Sequence, residues 1–227
     1  MSEAGGDESK RVAIVVYEGA DEIDVVGPHR VLGAAGFEVE LVAEADEPVR
    51  LSEGLRILPT CVLDDLQPVD VLIVPGGSSH SQTMGRRRQQ RNYSLLEFVR
   101  EVSSRVELTA SVCTGAFIVA EAGLLAGRRV NTHWMFRDEL RGLMAERAED
   151  LSLVPERVVW DGDLVSSGGV TSAIDLALSI VERHKGHDVR DRLEAMLERE
   201  TPPETGMLQP QPEGSSHPTA GEKRAEY

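Results

Sequence analysis

The chain has 227 residues, enough for one sizeable α/β domain, and its formal charge of -15 argues against nucleic acid or an anionic membrane as a partner. No apolar run approaches the roughly 18 residues of a membrane span, and the polar, acidic start of the chain does not resemble a secretory leader. We therefore expect a cytoplasmic protein in which Cys61 and Cys113 are reduced thiols rather than a disulfide.

Short apolar strands alternate with helical patterns along residues 11–199, which predicts one domain between polar tails at residues 1–10 and 200–227. Such alternation is typical of a parallel, doubly wound sheet with helices on both faces. The predicted strands are 11–17, 38–43, 56–60, 69–74, 106–112, 151–154, 158–160 and 164–166. The predicted helices are 28–36, 95–103, 117–123, 134–146, 171–183 and 189–198.

Three loops follow predicted strands of this sheet at its carboxyl edge. They are residues 18–28, the turn Pro75-Gly76-Gly77-Ser78, and the turn that contains Cys113. In open α/β sheets the functional site lies outside the carboxyl ends of the strands. We therefore expect these three loops to meet in one site.

Cys113 lies on a tight strand-to-helix turn, Val112-Cys113-Thr114-Gly115-Ala116. A sulfur at the N-terminus of a helix is exposed to aligned peptide dipoles and free N–H groups, which favour the nucleophilic thiolate. Free cysteine is also one of the most frequently buried residue types. The local pattern alone leaves both interpretations open, a reactive thiolate or a small core residue.

Asp24 is the candidate proton carrier because it lies between the apolar residues Ile23 and Val25. A carboxylate in apolar surroundings has a raised pKa and can exchange protons near neutral pH. The alternative is that Asp24 caps the helix predicted to begin at residue 28. The neighbouring acids Glu18, Asp21 and Glu22 are interpreted as solvated loop residues.

Gly76 and Gly77 follow a buried strand and present backbone without side chains. Their N–H groups are suited to a developing negative charge, although an ordinary turn would also explain the pattern. His133, within Asn131-Thr132-His133-Trp134, is a candidate neighbour of Cys113 or a structural histidine. Because no metal-ligand spacing, phosphate loop or dinucleotide motif is present, the sequence predicts neither a metal nor a cofactor.

In order, the motifs resemble those of the DJ-1/PfpI superfamily over about residues 11–205. They are Tyr17-Glu18-Gly19, Asp24-Val25-Val26-Gly27-Pro28, Val74-Pro75-Gly76-Gly77, Ala110-Ser111-Val112-Cys113-Thr114-Gly115-Ala116, Thr132-His133-Trp134, Ser167-Gly168-Gly169-Val170-Thr171-Ser172-Ala173-Ile174-Asp175, and Pro202-Pro203. Within that superfamily the chain is most similar to the isonitrile hydratase branch, because Asp24 opens a D-x-x-G-P motif and Thr114 follows the cysteine. The resemblance implies a flavodoxin-like three-layer sandwich, usually dimeric, with a mainly parallel sheet and Cys113 at a nucleophile elbow.

The resemblance also implies a chemistry that needs no cofactor. Cys113 would attack a small electrophile, an isonitrile, and form a thioimidate on sulfur. Asp24 would deliver a proton and then activate water, releasing an N-substituted formamide. Thr114 would hold the water or the intermediate, with Gly76 or Gly77 adding N–H donors.

Other activities of the superfamily remain alternatives. Glyoxalase- and deglycase-type members act on reactive carbonyls but commonly carry glutamate where this chain has Asp24, and proteases and chaperones more often have histidine after the cysteine. The short polar segment after Pro202 cannot hold the DNA-binding domain of AraC-type regulators. A non-catalytic thiol sensor, oxidised at Cys113, is a further alternative. Candidate pocket residues are Ile23, Ser78, Ser79, His80 and Val170.

Overall fold

A computed structural model describes residues 9–77 and 93–199 of the chain. Its strands are β1 (Arg11–Val15), β2 (Glu38–Ala43), β3 (Val49–Arg50), β4 (Arg56–Ile57), β5 (Cys61–Val62), β6 (Val71–Val74), β7 (Leu108–Val112), β8 (Arg129–Val130), β9 (Ser152–Leu153), β10 (Val158–Asp161) and β11 (Leu164–Ser167). Its α-helices are α1 (Glu22–Ala34), α2 (Tyr93–Ser103), α3 (Gly115–Glu121), α4 (Arg137–Glu146), α5 (Ser172–Lys185) and α6 (His187–Met196).

Seven strands form the central sheet, in the order β10-β11-β7-β6-β1-β2-β5. Every neighbouring pair is parallel except β10 and β11, which form an antiparallel hairpin around Gly162. Gly162 has a φ of +65°, the left-handed conformation that such a turn favours. The predicted parallel, doubly wound sheet is therefore confirmed, with one antiparallel edge.

Helices cover both faces of the sheet. In β1, Val12 and Ile14 point to the face covered by α1, α5 and α6, and Ala13 and Val15 point to the face covered by α2, α3 and α4. Because a parallel sheet is buried on both sides, its strands are apolar throughout, and all four residues of β6 are buried. The result is the expected three-layer, flavodoxin-like sandwich.

The first helix begins six residues before the predicted start. Its N-cap is Asp21, whose carboxylate accepts hydrogen bonds from the N–H groups of Ile23 (2.9 Å) and Asp24 (3.3 Å). The prediction placed Pro28 at the first turn, where proline is favoured, but Pro28 lies inside the helix. Asp24 therefore lies in the first turn of α1 rather than in a loop, and the interpretation of Asp21 as a solvated acid is wrong.

Smaller corrections concern short elements. The helix predicted from residue 134 begins as a 3₁₀ turn, Trp134–Phe136, before α4. Two-residue strands such as β3 and β8 carry too little pattern to be predicted from sequence. Lys10, assigned to the N-terminal tail, instead forms hydrogen bonds with Asp70 and Glu107.

Candidate active site

Cys113 connects β7 to α3 in a sharp turn. Its φ is +55°, a left-handed conformation that is uncommon for a residue with a side chain. The backbone is fixed on both sides, because the Cys113 N–H donates to the carbonyl of Gly168 (3.0 Å) and the Thr132 hydroxyl donates to the Cys113 carbonyl (2.7 Å). The elbow is thus a strained turn that surrounding elements hold in place.

Close packing beneath the elbow requires glycine at position 115. A Cβ on Gly115 would lie 2.2 Å from the carbonyl oxygen of Val74, at the end of the neighbouring strand β6. The glycine therefore allows the first turn of α3 to sit directly against the sheet.

The Cys113 thiol is only 7% exposed. Burial raises its pKa to about 12, and the nearby negative charge of Asp24 contributes in the same direction. Hydrogen bonds from the N–H groups of Thr114 and Val170 oppose the increase without cancelling it. The expected low-pKa thiolate is therefore wrong in direction, because desolvation and the charge of Asp24 outweigh the two backbone hydrogen bonds to the sulfur.

Asp24 is fully buried beside this thiol. Its Oδ2 accepts a hydrogen bond from the Gly76 N–H at 3.0 Å, whereas its Oδ1 has no hydrogen-bond partner among the described residues. Burial, followed by the charge of Asp21, raises the Asp24 pKa well above its ordinary value, and interactions with Gly76 and the Cys113 side chain lower it in part. The expected rise in the Asp24 pKa is confirmed in direction, and the Asp24 carboxyl and the Cys113 thiol are neighbours.

The loop at Gly76 and Gly77 holds these two groups together. The Gly77 N–H donates to the Thr114 hydroxyl at 3.0 Å, so both glycine N–H groups are engaged by side chains of the protein. A Cβ on Gly76 would lie 2.6 Å from the Thr114 nitrogen and 2.8 Å from the Cys113 Cβ. The described contacts thus give the two glycines a positioning role, with their N–H groups directed at Asp24 and Thr114.

Thr114 is buried, and its side chain is turned towards the glycine loop. Its hydroxyl lies between the N–H and the carbonyl oxygen of Gly77, at 3.0 and 3.2 Å. Its backbone N–H is the group that interacts with the Cys113 sulfur. The three loops predicted to meet therefore do meet, through Asp24, Gly76 and the Cys113 turn.

His133 contacts its own turn and the loop at Gly169. Its Nδ1 accepts the Met135 N–H at 3.3 Å, and its ring stacks on Trp134 at 6.0 Å between centroids. A Cβ on Gly169 would lie 2.0 Å from the His133 ring. No hydrogen bond joins His133 to Cys113 within the described residues, so the histidine supports the loop beside Val170 rather than the thiol.

Sequence reasoning missed the site roles of Thr132 and Val170. Val170, with a φ of +51°, is predicted only as a pocket residue, yet its N–H interacts with the Cys113 sulfur. Thr132 and Val170 lie within quoted motifs, but their partners are distant in sequence. The pocket candidates Ser78, Ser79 and His80 lie outside the described residues, and Ile23 is 40% exposed.

Neither a metal cluster nor a membrane-spanning helix is found where the structure is described. In residues 9–77 and 93–199, no group of three His, Cys, Asp or Glu side chains could hold a metal ion. Within those same ranges, no helix is long and apolar enough to cross a membrane. Cys61 and Cys113 are both free thiols.

This fold and elbow define a flavodoxin-like α/β protein with a cysteine on a strand-to-helix turn. Residues 10–183 match the model of the DJ-1/PfpI family, and the chain belongs to that family.

Known relatives include enzymes with different named activities. The chain is 33% identical over 189 residues to an isonitrile hydratase from Pseudomonas putida, covering 83% of this chain and 78% of the relative. It is 26% identical over 178 residues to a glutathione-independent glyoxalase from Caenorhabditis elegans, covering 78% and 89%. Among solved structures, a ThiJ/PfpI family protein from Pseudomonas syringae matches with a TM-score of 0.75 and 28% identity, covering 92% of this chain and 86% of that one.

Proposed function

We propose that the protein is a cysteine-dependent lyase that adds water to isonitriles and releases N-substituted formamides. The observation that carries this proposal is the buried Asp24 carboxyl beside the Cys113 thiol, with its Oδ2 held by the Gly76 N–H. The similarity to the isonitrile hydratase from Pseudomonas putida supports the same substrate class.

The first half of the reaction uses the single proton that the thiol and the carboxyl share. The Cys113 sulfur attacks the terminal carbon of the isonitrile, and the thiol proton passes through Asp24 to that same carbon. The product is a thioimidate, R–N=CH–S–Cys, with Asp24 ionised again. A raised Asp24 pKa suits this step because the carboxyl can hold the proton in transit at neutral pH.

The second half consumes one water molecule. Asp24 accepts a proton from the water as its oxygen bonds to the thioimidate carbon. The carbon–sulfur bond then breaks, one water proton ends on the amide nitrogen and the other on sulfur, and R–NH–CHO leaves. The N–H groups of Thr114 and Val170 that face the sulfur stabilise it as it departs with negative charge.

Turnover of cyclohexyl isocyanide by the purified protein tests the proposal. We expect formamide production, measured by chromatography, that falls at least about 100-fold in both Cys113→Ala and Asp24→Asn, because each variant removes a group that changes bonding in the reaction. Cys61→Ala is the matched control, since it removes the other free thiol, on the edge strand β5, and should retain full activity. Turnover that survives Cys113→Ala would eliminate the nucleophile assignment.

The glyoxalase activity named for the Caenorhabditis elegans relative is the second candidate, because its substrates also accept a cysteine nucleophile. Absence of isonitrile turnover together with loss of methylglyoxal and formation of lactate would favour it. A gain of two oxygens confined to Cys113 after mild peroxide, without turnover of either substrate, would favour a thiol sensor. We also propose, from family membership alone, that the protein acts as a homodimer in the cytoplasm.

A further inference from the structure

One peptide group connects Tyr17 to Asp24. The Tyr17 phenol donates a hydrogen bond to the carbonyl oxygen of Pro75 at 2.8 Å. The N–H of that same peptide unit belongs to Gly76 and donates to Asp24 Oδ2 at 3.0 Å. The peptide bond therefore has the phenol on one side and the carboxyl on the other.

Hydrogen bonds arranged in series strengthen one another. The described residues contain no cis peptide bond, so the Pro75 carbonyl and the Gly76 N–H point in opposite directions. A donor at the carbonyl oxygen draws electron density from the nitrogen and makes the N–H a stronger donor. Tyr17 thereby adds to the hydrogen bond that Asp24 receives.

The next peptide along the loop is also held. Its carbonyl, that of Gly76, accepts the Asp21 N–H at 2.8 Å. Asp21 in turn caps the helix that carries Asp24. Gly76 is therefore hydrogen-bonded through its N–H to Asp24 and through its carbonyl to the start of α1.

We propose that Tyr17 is a positioning residue that acts through the Pro75–Gly76 peptide to favour the ionised form of Asp24 and so sets how Asp24 and Cys113 share their proton. The effect of Tyr17 on turnover rests on the proposed function, whereas the effect of Tyr17 on the Cys113 thiol does not. Burial, with the charges of Asp24, Cys113 and Asp21, raises the pKa of Tyr17, which keeps the phenol protonated as a donor.

Removing the Tyr17 hydroxyl should change the ionisation of Asp24 and Cys113 in a definite direction. Without the Tyr17 hydroxyl the Gly76 hydrogen bond weakens, and the Asp24 carboxyl stays protonated to higher pH. Because the negative charge of Asp24 raises the Cys113 pKa, a neutral carboxyl makes the thiolate easier to form. While the pair holds one proton, Tyr17→Phe should therefore raise the fraction of Cys113 present as thiolate and lower the fraction of Asp24 available as a base.

The experiment measures the rate at which iodoacetamide alkylates Cys113 between about pH 7 and 9, in a Cys61→Ala background. We expect Tyr17→Phe to raise this rate about two- to threefold, equivalent to a rise of roughly 0.3–0.5 unit in the proton affinity of Asp24, because the form with a neutral carboxyl and a thiolate becomes more populated. Thr60→Val, which removes another hydroxyl bonded to backbone at the sheet edge, should leave the rate unchanged. An unchanged rate in Tyr17→Phe would overturn the proposal.

A second background separates action through Asp24 from a direct effect on the thiol. In Asp24→Asn the carboxyl is absent, so adding Tyr17→Phe should not change the alkylation rate further. An equal increase in rate in both backgrounds would refute the role assigned to the peptide. Formamide turnover should fall several-fold in Tyr17→Phe, and if no variant turns over isonitriles, the alkylation result still decides the role of Tyr17.

A variant that keeps the phenol controls for structural disruption at position 17. Tyr17→3-fluorotyrosine retains the ring and makes the hydroxyl a stronger donor. The alkylation rate over the same pH range should then fall, opposite to Tyr17→Phe. A faster rate in both variants would mean that the site had merely loosened and would refute the proposal.

Discussion

Within the part of the chain that the structure describes, the Asp24 carboxyl combines complete burial, one unpartnered oxygen and a single hydrogen bond to Oδ2. Ionising such a group in the folded protein is unfavourable, because one backbone donor replaces a full hydration shell. The ionised Asp24 carboxyl therefore lowers the stability of the folded protein.

Asp24→Asn should therefore stabilise the protein while abolishing turnover. The folded-state pKa of Asp24 is raised, so the folded protein binds more protons than the unfolded chain, and its stability decreases as pH rises from about 4 through the raised pKa. The amide removes this loss. We expect a gain of about 1–2 kcal/mol at pH 8 and a smaller gain at pH 5, measured by thermal unfolding.

The exposed Asp46 provides a control for this measurement. Asp46→Asn removes a carboxyl of the same size and charge from solvent, where it should change stability by no more than about 0.5 kcal/mol at either pH. A destabilised Asp24→Asn at pH 8 would contradict the assignment of a buried charge that costs stability.

At the level of elements, the elbow depends on how closely α3 approaches the end of β6. Gly115 and Gly142 both lie in helices, but a Cβ at Gly115 meets the Val74 carbonyl at 2.2 Å, whereas one at Gly142 meets nothing within 4 Å. The same change of one methyl group therefore has opposite consequences in the two helices.

Gly115→Ala should destabilise the protein by at least about 2 kcal/mol, because the atom it meets is backbone that cannot rotate away. Gly142→Ala should stabilise it by roughly 0.5–1 kcal/mol through helix propensity. Chemical unfolding of both variants measures the difference. Equal stabilities of Gly115→Ala and Gly142→Ala would contradict the clash that the geometry predicts at Gly115.

The start of α1 shows how element boundaries escape sequence reasoning. Pro28 is a strong signal for a first turn, and Asp21 is an equally valid N-cap that requires the proline to lie inside the helix. The packing of Gly27 against Ile174 of α5, where a Cβ would meet the side chain at 3.3 Å, favours the longer helix. That contact joins residues far apart in sequence and leaves no local pattern.

Across the whole molecule, the two ends of the sheet carry different functions. Cys113 lies at the carboxyl end, whereas Lys10 joins Asp70 and Glu107 at the opposite end, with Nζ distances of 3.2 and 3.0 Å. Asp70 Oδ2 also accepts the Arg11 N–H at 2.8 Å. These ion pairs hold the starts of β1, β6 and β7 together without touching the site.

Asp70→Asn should reduce stability at pH 7 and leave Cys113 chemistry unchanged. Although burial opposes it, the Arg11 N–H and Lys10 lower the pKa of Asp70, so its stabilisation is present above its unfolded pKa and is lost as pH falls through the lower folded value. Because the carboxyl is about one-third exposed, we expect a loss of about 0.5–1 kcal/mol at pH 7 and almost none at pH 3.

Urea unfolding at the two pH values measures this effect, and the alkylation rate of Cys113 is its internal control. A loss of stability that is equal at pH 7 and pH 3 would indicate a packing defect rather than an electrostatic contribution from Asp70.

The parallel sheet was predictable because apolar strands alternate with helical patterns along the chain. The meeting of Cys113 with Asp24 was predictable because both follow strands at the carboxyl edge of that sheet. The hydrogen-bond acceptors of the Gly76 and Gly77 N–H groups were not predictable, since a partner 52 or 37 residues away leaves no pattern in a loop sequence. The sign of the Cys113 pKa shift was missed for the same reason, because burial is a property of the assembled fold.

The two free thiols, Cys61 and Cys113, can report on local opening at two places in the fold. Cys113 is 7% exposed and fixed by Gly168 and Thr132, whereas Cys61 lies half-buried on an edge strand of two residues. A bulky, membrane-impermeant thiol reagent should label Cys61 by edge fraying and Cys113 only when the elbow separates from its neighbours. The ratio of the two labelling rates would measure how much more rarely the nucleophile is uncovered than the sheet edge, directly in the native protein and without denaturant.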